Sequence, residues 1–218
     1  MLFFDAYTLE GNFRVFIIEK ECFFMTQKQK THRIAVAAVL QFVEFSIPIM
    51  PAFVKLDISD LPALLGTFSL GPVYGVAIQL VKNLLHLPFG SSACVGELSN
   101  FLLGATFAFI AGIIYKKHKN RSGALWGSVA GAAAMALISL PLNYFIVYPA
   151  YVVLYGLPLE AIVGMYQEIL GTVAQIPTGN ALFNCLLVFN VPFTLCKGLL
   201  DVALCFLIYK PLSPLLHK

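Results

Sequence analysis

Long apolar runs broken by short polar segments dominate the chain from residue 33 onward. About 20 apolar residues in a helix cross the hydrocarbon of a bilayer. The pattern predicts a first span over about Arg33–Met50, stopped at Pro48-Ile-Met-Pro51, and clear spans over 95–115, 122–147 and 183–209. The last is closed by Lys210 and Pro211. Residues 61–87 are also apolar but carry Gly71-Pro72 near their middle. Residues 148–182 form an aromatic stretch punctuated by Pro and Gly.

Two topologies follow. In the first, 61–87 crosses once and 158–176 supplies another span. In the second, 61–87 is two short spans broken at Gly71-Pro72, and 148–182 is an extramembrane loop. Charge separates them, because Lys and Arg mark cytoplasmic loops. Lys28, Lys30 and Arg33, then the basic loop Lys116-Lys-His-Lys-Asn-Arg121, then Lys210 and Lys218, share one side only in the second. The opposite loops then carry Asp57, Asp60, Glu160 and Glu168 against Lys55. The expectation is an all-α integral membrane protein with six transmembrane helices and both termini cytoplasmic. Half-length spans are tolerated where their freed backbone groups meet protein or water, which places a cavity beside Gly71-Pro72.

Composition agrees: the 218 residues are 59% hydrophobic and 11% charged, with a mean hydropathy of +0.84. The chain reads as one membrane domain over 25–218. Residues 1–24 mix charges into every apolar run and lack a signal peptide's clean apolar core. They are either an upstream extension, with Met25 the true start, or a peripheral amphipathic tail. The net charge of +3 includes no basic patch interleaved with aromatics, so nucleic acid is not an expected partner. The five cysteines show no metal or disulfide spacing. No phosphate-binding loop, H-E-x-x-H or G-x-S-x-G is present, so the chain is not expected to be an enzyme or to hold a metal. Small residues at Gly104-x3-Ala108-x3-Gly112 and Gly127-x3-Gly131 suit close helix approach.

Glu44, Lys82, Glu97, Lys197 and Asp201 sit inside apolar sequence. A charge at bilayer depth costs roughly 2.5–3.5 kcal/mol on insertion scales, so such residues face a bundle interior or a watered cavity. Lys197 and Asp201, four apart, form either a structural ion pair or part of a site. Further polar residues gather at the outer ends of the spans: Lys55, Asp57, Ser59 and Asp60; Lys82-Asn83; Glu97 and Asn100; Asn143-Tyr144; Thr194 and Lys197. Phe145, Tyr148, Tyr151 and Phe193 accompany them. Apolar walls with a few convergent polar groups describe a small-molecule pocket. The alternative is an interfacial aromatic belt with snorkelling lysines. Such a belt has no need of Asn143, Glu97 or Asn100, which favours the pocket.

Several motifs in order then carry a resemblance: Lys55-Leu-Asp-Ile-Ser-Asp-Leu-Pro-Ala63, Gly71-Pro72, Val81-Lys-Asn-Leu-Leu-His86, Val95-Gly-Glu-Leu-Ser-Asn-Phe-Leu-Leu-Gly104, Asn143-Tyr-Phe, Pro149-Ala-Tyr151, Val191-Pro-Phe-Thr-Leu-Cys-Lys-Gly198 and Tyr209-Lys-Pro-Leu-Ser-Pro214. Over roughly residues 31–218 the chain resembles the riboflavin-specific substrate-binding (S) components of energy-coupling-factor (ECF) transporters. The resemblance implies a multi-pass subunit of the bacterial plasma membrane, with a vitamin pocket open to the outside and the first outer loop as its cap. Its implied partners are one transmembrane coupling subunit and two ATPase subunits, which energise uptake. Riboflavin is then a transported ligand, and no cofactor is implied.

The implied site is Lys55, Asp57, Asp60, Glu97, Asn100, Asn143, Tyr144, Thr194 and Lys197. Aromatic side chains would stack on the isoalloxazine ring, and Asn143 would pair with its pyrimidine edge. Lys197 would donate to a ring carbonyl or the ribityl oxygens, oriented by Asp201, while Glu97 and Asn100 meet ribityl hydroxyls. Lys82 is expected nearer the surface. Two departures stand out. Thr194 replaces a usual Asn, exchanging an amide for one hydroxyl. The first span offers only Thr31-x3-Ala35 and the Ala35, Ala37, Ala38 cluster where an Ala-x3-Ala docking pattern is common. Residues 152–182 are long for the family and placed to fold over the pocket mouth. Rival readings are an S component for another flat heterocycle, or an ion-coupled carrier using Glu44, Glu97 and Lys197 as a relay.

Overall fold

The computed structural model describes residues 35–46, 50–51, 54–90, 94–156, 158–170 and 180–216. The readings of residues 1–24, of the Met25 start and of Thr31 fall outside them. Among the described residues three helices are long and apolar enough to cross a membrane: Val95–Lys117, Arg121–Leu154 and Ala181–Leu207.

The expected break at Gly71-Pro72 is present. Helix α2 (Asp60–Leu70) and helix α3 (Pro72–His86) meet at Gly71, whose φ of 99° a side chain would resist. Pro72 opens α3, where its missing N–H costs nothing. The two lie antiparallel, with Asp60 beside Gln79 and Lys82 across the hairpin. Helix α3 is inverted relative to a soluble amphipathic helix. Gly75, Gln79, Lys82, Asn83 and His86 are buried, while Val73, Leu80, Leu84 and Leu85 are exposed. That arrangement suits a helix whose outer face meets lipid.

Helix α4 (Val95–Lys117) rises about 34 Å at 1.5 Å per residue. Its small-residue stripe packs on the hairpin: Gly104 lies against Gln79, and Gly112 against Thr67 and Pro72. Helix α5 (Arg121–Leu142) starts after a short basic turn capped by Asn120, whose side chain accepts the Gly123 N–H at 2.6 Å. A Cβ on Gly127 or Gly131 would stand 2.8 Å from a backbone oxygen of α4, so glycine lets these two helices close.

The first and last readings of the membrane pattern need correction. The helix expected to reach Met50 ends at residue 41; we call its described part, 35–41, α1. Phe45–Ser46 (β1) then pairs antiparallel with Lys55–Leu56 (β2). Pro48 and Pro51 lack donors and bias the residues before them to extended backbone, so the chain leaves the helix before reaching them. Nor is 148–182 simply a loop. The helix begun by α5 runs on through wide, π-type turns at Asn143–Val147 and Tyr151–Tyr155. It ends at Gly156, φ 70°. A separate helix, α6 (Leu159–Leu170), follows and buries Ile162 and Tyr166. The last helix enters at Ala181–Cys185, takes a π-type turn at Leu186–Asn190 and continues as α7 (Val191–Leu216).

The wide turns flank Pro141, Pro149 and Pro192. A proline removes one helical hydrogen bond and crowds the preceding turn, and widening the ladder relieves both. One apolar core, with Val95, Val147, Tyr148, Ile162, Tyr166 and Leu186, packs α6 against the two wide-turn helices. A second joins α2, α4, α5 and α7 through Leu64, Phe107, Ala132, Met135 and Val202.

Candidate functional site

A cavity of about 510 Å³ lies between these elements. Its size falls within the range of small-molecule sites. Eight of the nine site residues expected from the sequence line it: Lys55, Asp57, Asp60, Glu97, Asn100, Asn143, Thr194 and Lys197. The ninth, Tyr144, is placed elsewhere. It packs edge-on against Phe145 and Phe183 and lines a separate shallow pocket beside α6. Asn143 faces the cavity, while Tyr144, the next residue along the helix, points to a different side.

The charged residues satisfy one another. Lys197 Nζ stands 2.9 Å from Asp57 Oδ2, 3.5 Å from Asp60 Oδ2 and donates to Asn100 Oδ1 at 3.1 Å. Among the described residues Asp201 is not its ion-pair partner, so of the two readings of their spacing the structural ion pair is not formed. The four-residue spacing puts both on one face of α7, but the loop before α2 brings a nearer carboxylate. Lys82 is fully buried rather than near the surface. Its Nζ lies 2.6 Å from Asp60 Oδ1 and 2.6 Å from Ser59 Oγ. Gln79 donates to the same Asp60 oxygen at 2.8 Å.

Asp57 is further held by the Ser59 hydroxyl and backbone N–H. Burial alone would raise its carboxyl, but Lys197 and Lys82 outweigh that and keep it below the usual carboxylate range. At the other edge His86 bridges two carboxylates, Nδ1 to Glu97 at 3.0 Å and Nε2 to Glu44 at 3.5 Å, and Glu44 also meets Lys55 at 3.0 Å.

Neutral groups complete the wall. Tyr148, Tyr151, Phe193 and Met135 line it with Asn143, Asn190 and Thr194. Among the described residues the side chains of Asn143 and Thr194 have no hydrogen-bond partner. Asn190 does: it accepts from the Tyr166 hydroxyl at 2.5 Å and donates to the Tyr148 hydroxyl at 3.2 Å, while the two hydroxyls meet at 2.5 Å. Sequence reasoning missed Asn190, Tyr166 and Gln41. A signal for Asn190 existed, since 190, 194, 197 and 201 fall on one helical face. Tyr166 had none, because only the fold of α6 brings it behind the wall, against Tyr148 and Asn190.

Among the described residues the cavity wall holds no nucleophile paired with a base. Residues 32–209 match the family model described as ECF transporter, substrate-specific component. The chain belongs to that family. It is a transport component and not an enzyme.

The S component is similar to the riboflavin transporter RibU of Staphylococcus aureus (strain TCH60), 34% identical over 184 residues, covering 84% of this chain and 88% of that one. It is 28% identical over 187 residues to the riboflavin transporter FmnP of Bacillus subtilis (strain 168), covering 84% and 90%. A solved structure of the S component of a bacterial ECF transporter superposes with a TM-score of 0.65 at 31% identity, covering 89% of this chain and 98% of that one.

Proposed function

We propose that this S component is the high-affinity riboflavin-binding subunit of an ECF-type uptake transporter. The carrying observation is the pairing state of the cavity. Its lysines are engaged by carboxylates, whereas Asn143 and Thr194 present open neutral hydrogen-bonding groups beside Tyr148, Tyr151 and Phe193. A neutral, flat ligand edged with donors and acceptors suits such a wall, as isoalloxazine is. The riboflavin transporters among the relatives support the same ligand. In this reading Asn143 and Thr194 meet the ring edge. Lys197 and Asn100 share their hydrogen bonds with the ligand, and Lys55, Asp57, Asp60 and Glu97 hold the rim.

The chain would cross the bacterial plasma membrane six times, α2 and α3 as half-length spans, with both termini inside and the cavity open outward. A transmembrane coupling subunit and two ATPase subunits would supply the energy, since no nucleotide loop occurs in this sequence.

Titration of the purified chain with riboflavin, followed by quenching of flavin fluorescence, tests the ligand. Saturable quenching in the absence of ATP is the expected result. No quenching at micromolar protein and ligand rejects riboflavin and leaves another flat heterocycle, which the Thr194 exchange would accommodate. Uptake by vesicles holding this chain alone under a proton or sodium gradient would instead make it an ion-coupled carrier.

A further inference from the structure

Along the cavity wall and just behind it, Asp57, Asp60, Lys82 and Lys197 form one charge cluster, and Asp201 follows one helical turn after Lys197 on α7. Both ammonium groups are already engaged. Lys82 is held by Asp60 and Ser59, and Lys197 by Asp57, Asp60 and Asn100. Three carboxyls therefore face two cations, and full ionisation would leave one negative charge uncompensated.

Asp201 is where the excess falls. It is fully buried, and among the described residues neither of its side-chain oxygens has a hydrogen-bond partner. Among the described residues no lysine comes within ion-pair distance of it. Helix α5 presses on α7 one turn earlier with the apolar atoms of Ala132 and Met135 at Gly198. Cys205, one turn later, is a buried thiol. An unpaired carboxylate in such packing costs several kcal/mol, and taking up a proton removes that cost.

We propose that Asp201 is a resident proton-binding site, occupied at neutral pH, which makes the cluster neutral as two carboxylates against two ammonium groups. The groups facing it agree in sense. Asp60 on α2 and Asp57 in the preceding loop oppose a further negative charge, while Lys82 on α3 and Lys197 on α7 are committed to those two carboxylates. A protonated carboxyl also adds a donor to a cluster rich in acceptors. Among the described residues Asp60 Oδ2 is buried and accepts no hydrogen bond, meeting Lys197 at 3.5 Å as a charge contact. A neutral cluster lets α7 stay packed at bilayer depth without a buried net charge. The inference rests on burial and charge count and not on the identity of the ligand.

Infrared spectroscopy of the purified, ligand-free full chain at neutral pH tests it without any flavin. The expected result is a carbonyl-stretching band of a protonated carboxylic acid, lost in Asp201→Asn and displaced but retained in Asp201→Glu. The wild-type measurement stands even if a variant fails to fold. Absence of the band in the wild type overturns the proposal. So does its persistence in Asp201→Asn, which would put the proton elsewhere. Its disappearance when potassium in the buffer is replaced by sodium would make Asp201 a cation ligand and equally overturn it.

Discussion

Lys82 and Lys197 are each a single cation in an apolar run, and the structure places them differently. Lys82 is sealed behind the cavity on Asp60 and Ser59, with none of its surface exposed. Lys197 lines the cavity. Removing one partner of a buried ion pair leaves the other unpaired at a cost of about 3–5 kcal/mol. Lys82→Ala is therefore expected to lower the thermal denaturation midpoint strongly. Asp60 keeps its 3.5 Å contact with Lys197, which places the loss toward the lower end. Lys197→Ala should lower the midpoint as well, because it leaves buried Asp57 without its cation, and should in addition weaken ligand binding. A charged hydrogen bond contributes about 1.5–3 kcal/mol, so affinity by fluorescence titration should fall roughly 10- to 100-fold. If Lys197→Ala binds as the wild type does, its role is confined to holding Asp57.

At the scale of elements, two devices position the site. The first is the α2–α3 hairpin, which turns at Gly71 and places Asp60, Gln79 and Lys82 side by side. Gly71 has φ 99° and ψ 168°, a conformation essentially restricted to glycine. Space is not the obstacle, because a Cβ there would meet nothing within 4 Å. Gly71→Ala should therefore destabilise by about 1–3 kcal/mol through backbone strain alone. A thermal melt reads the loss, and an unshifted midpoint would mean the turn relaxes freely. The second device is the set of wide turns beside Pro141, Pro149 and Pro192. They bring Asn143, Tyr151 and Asn190 to the cavity wall from two helices.

For the whole molecule, the shared cavity requires that the polar ends of the helices lie on one side of the membrane. In the proposed topology the basic turn between α4 and α5 would face the cytoplasm and α6 would lie outside. Single cysteines placed at Asn120 and Glu160, in a background without the five native ones, check this with a membrane-impermeant maleimide on intact cells. Position 160 is expected to react and position 120 to be spared. Reaction at 120 with protection at 160 would reverse the cavity's opening and rule out capture of an external vitamin.

Much of this was legible without coordinates. Hydrophobic run length marked the α4, α5 and α7 spans, because a bilayer imposes a minimum length that composition reports directly. Gly71-Pro72 announced the hairpin turn, since one residue tolerates positive φ and the next opens a helix without its N–H. Polar residues at bilayer depth pointed to the cavity wall because their burial is too costly to be incidental. Tertiary structure alone decided the pairings. Lys197 meets Asp57, 140 residues away, rather than Asp201 on its own helix face. Tyr166 reaches Asn190 only because α6 folds back onto the wide-turn helices. Tyr144 points away from the cavity that Asn143 lines, since adjacent helical residues diverge by about 100° and only the packing of other helices decides which direction holds the cavity. Periodicity sees one helix at a time, whereas pairings between distant segments depend on how the helices cross. So did the solitude of Asp201, which became visible once both lysines were seen to be engaged elsewhere.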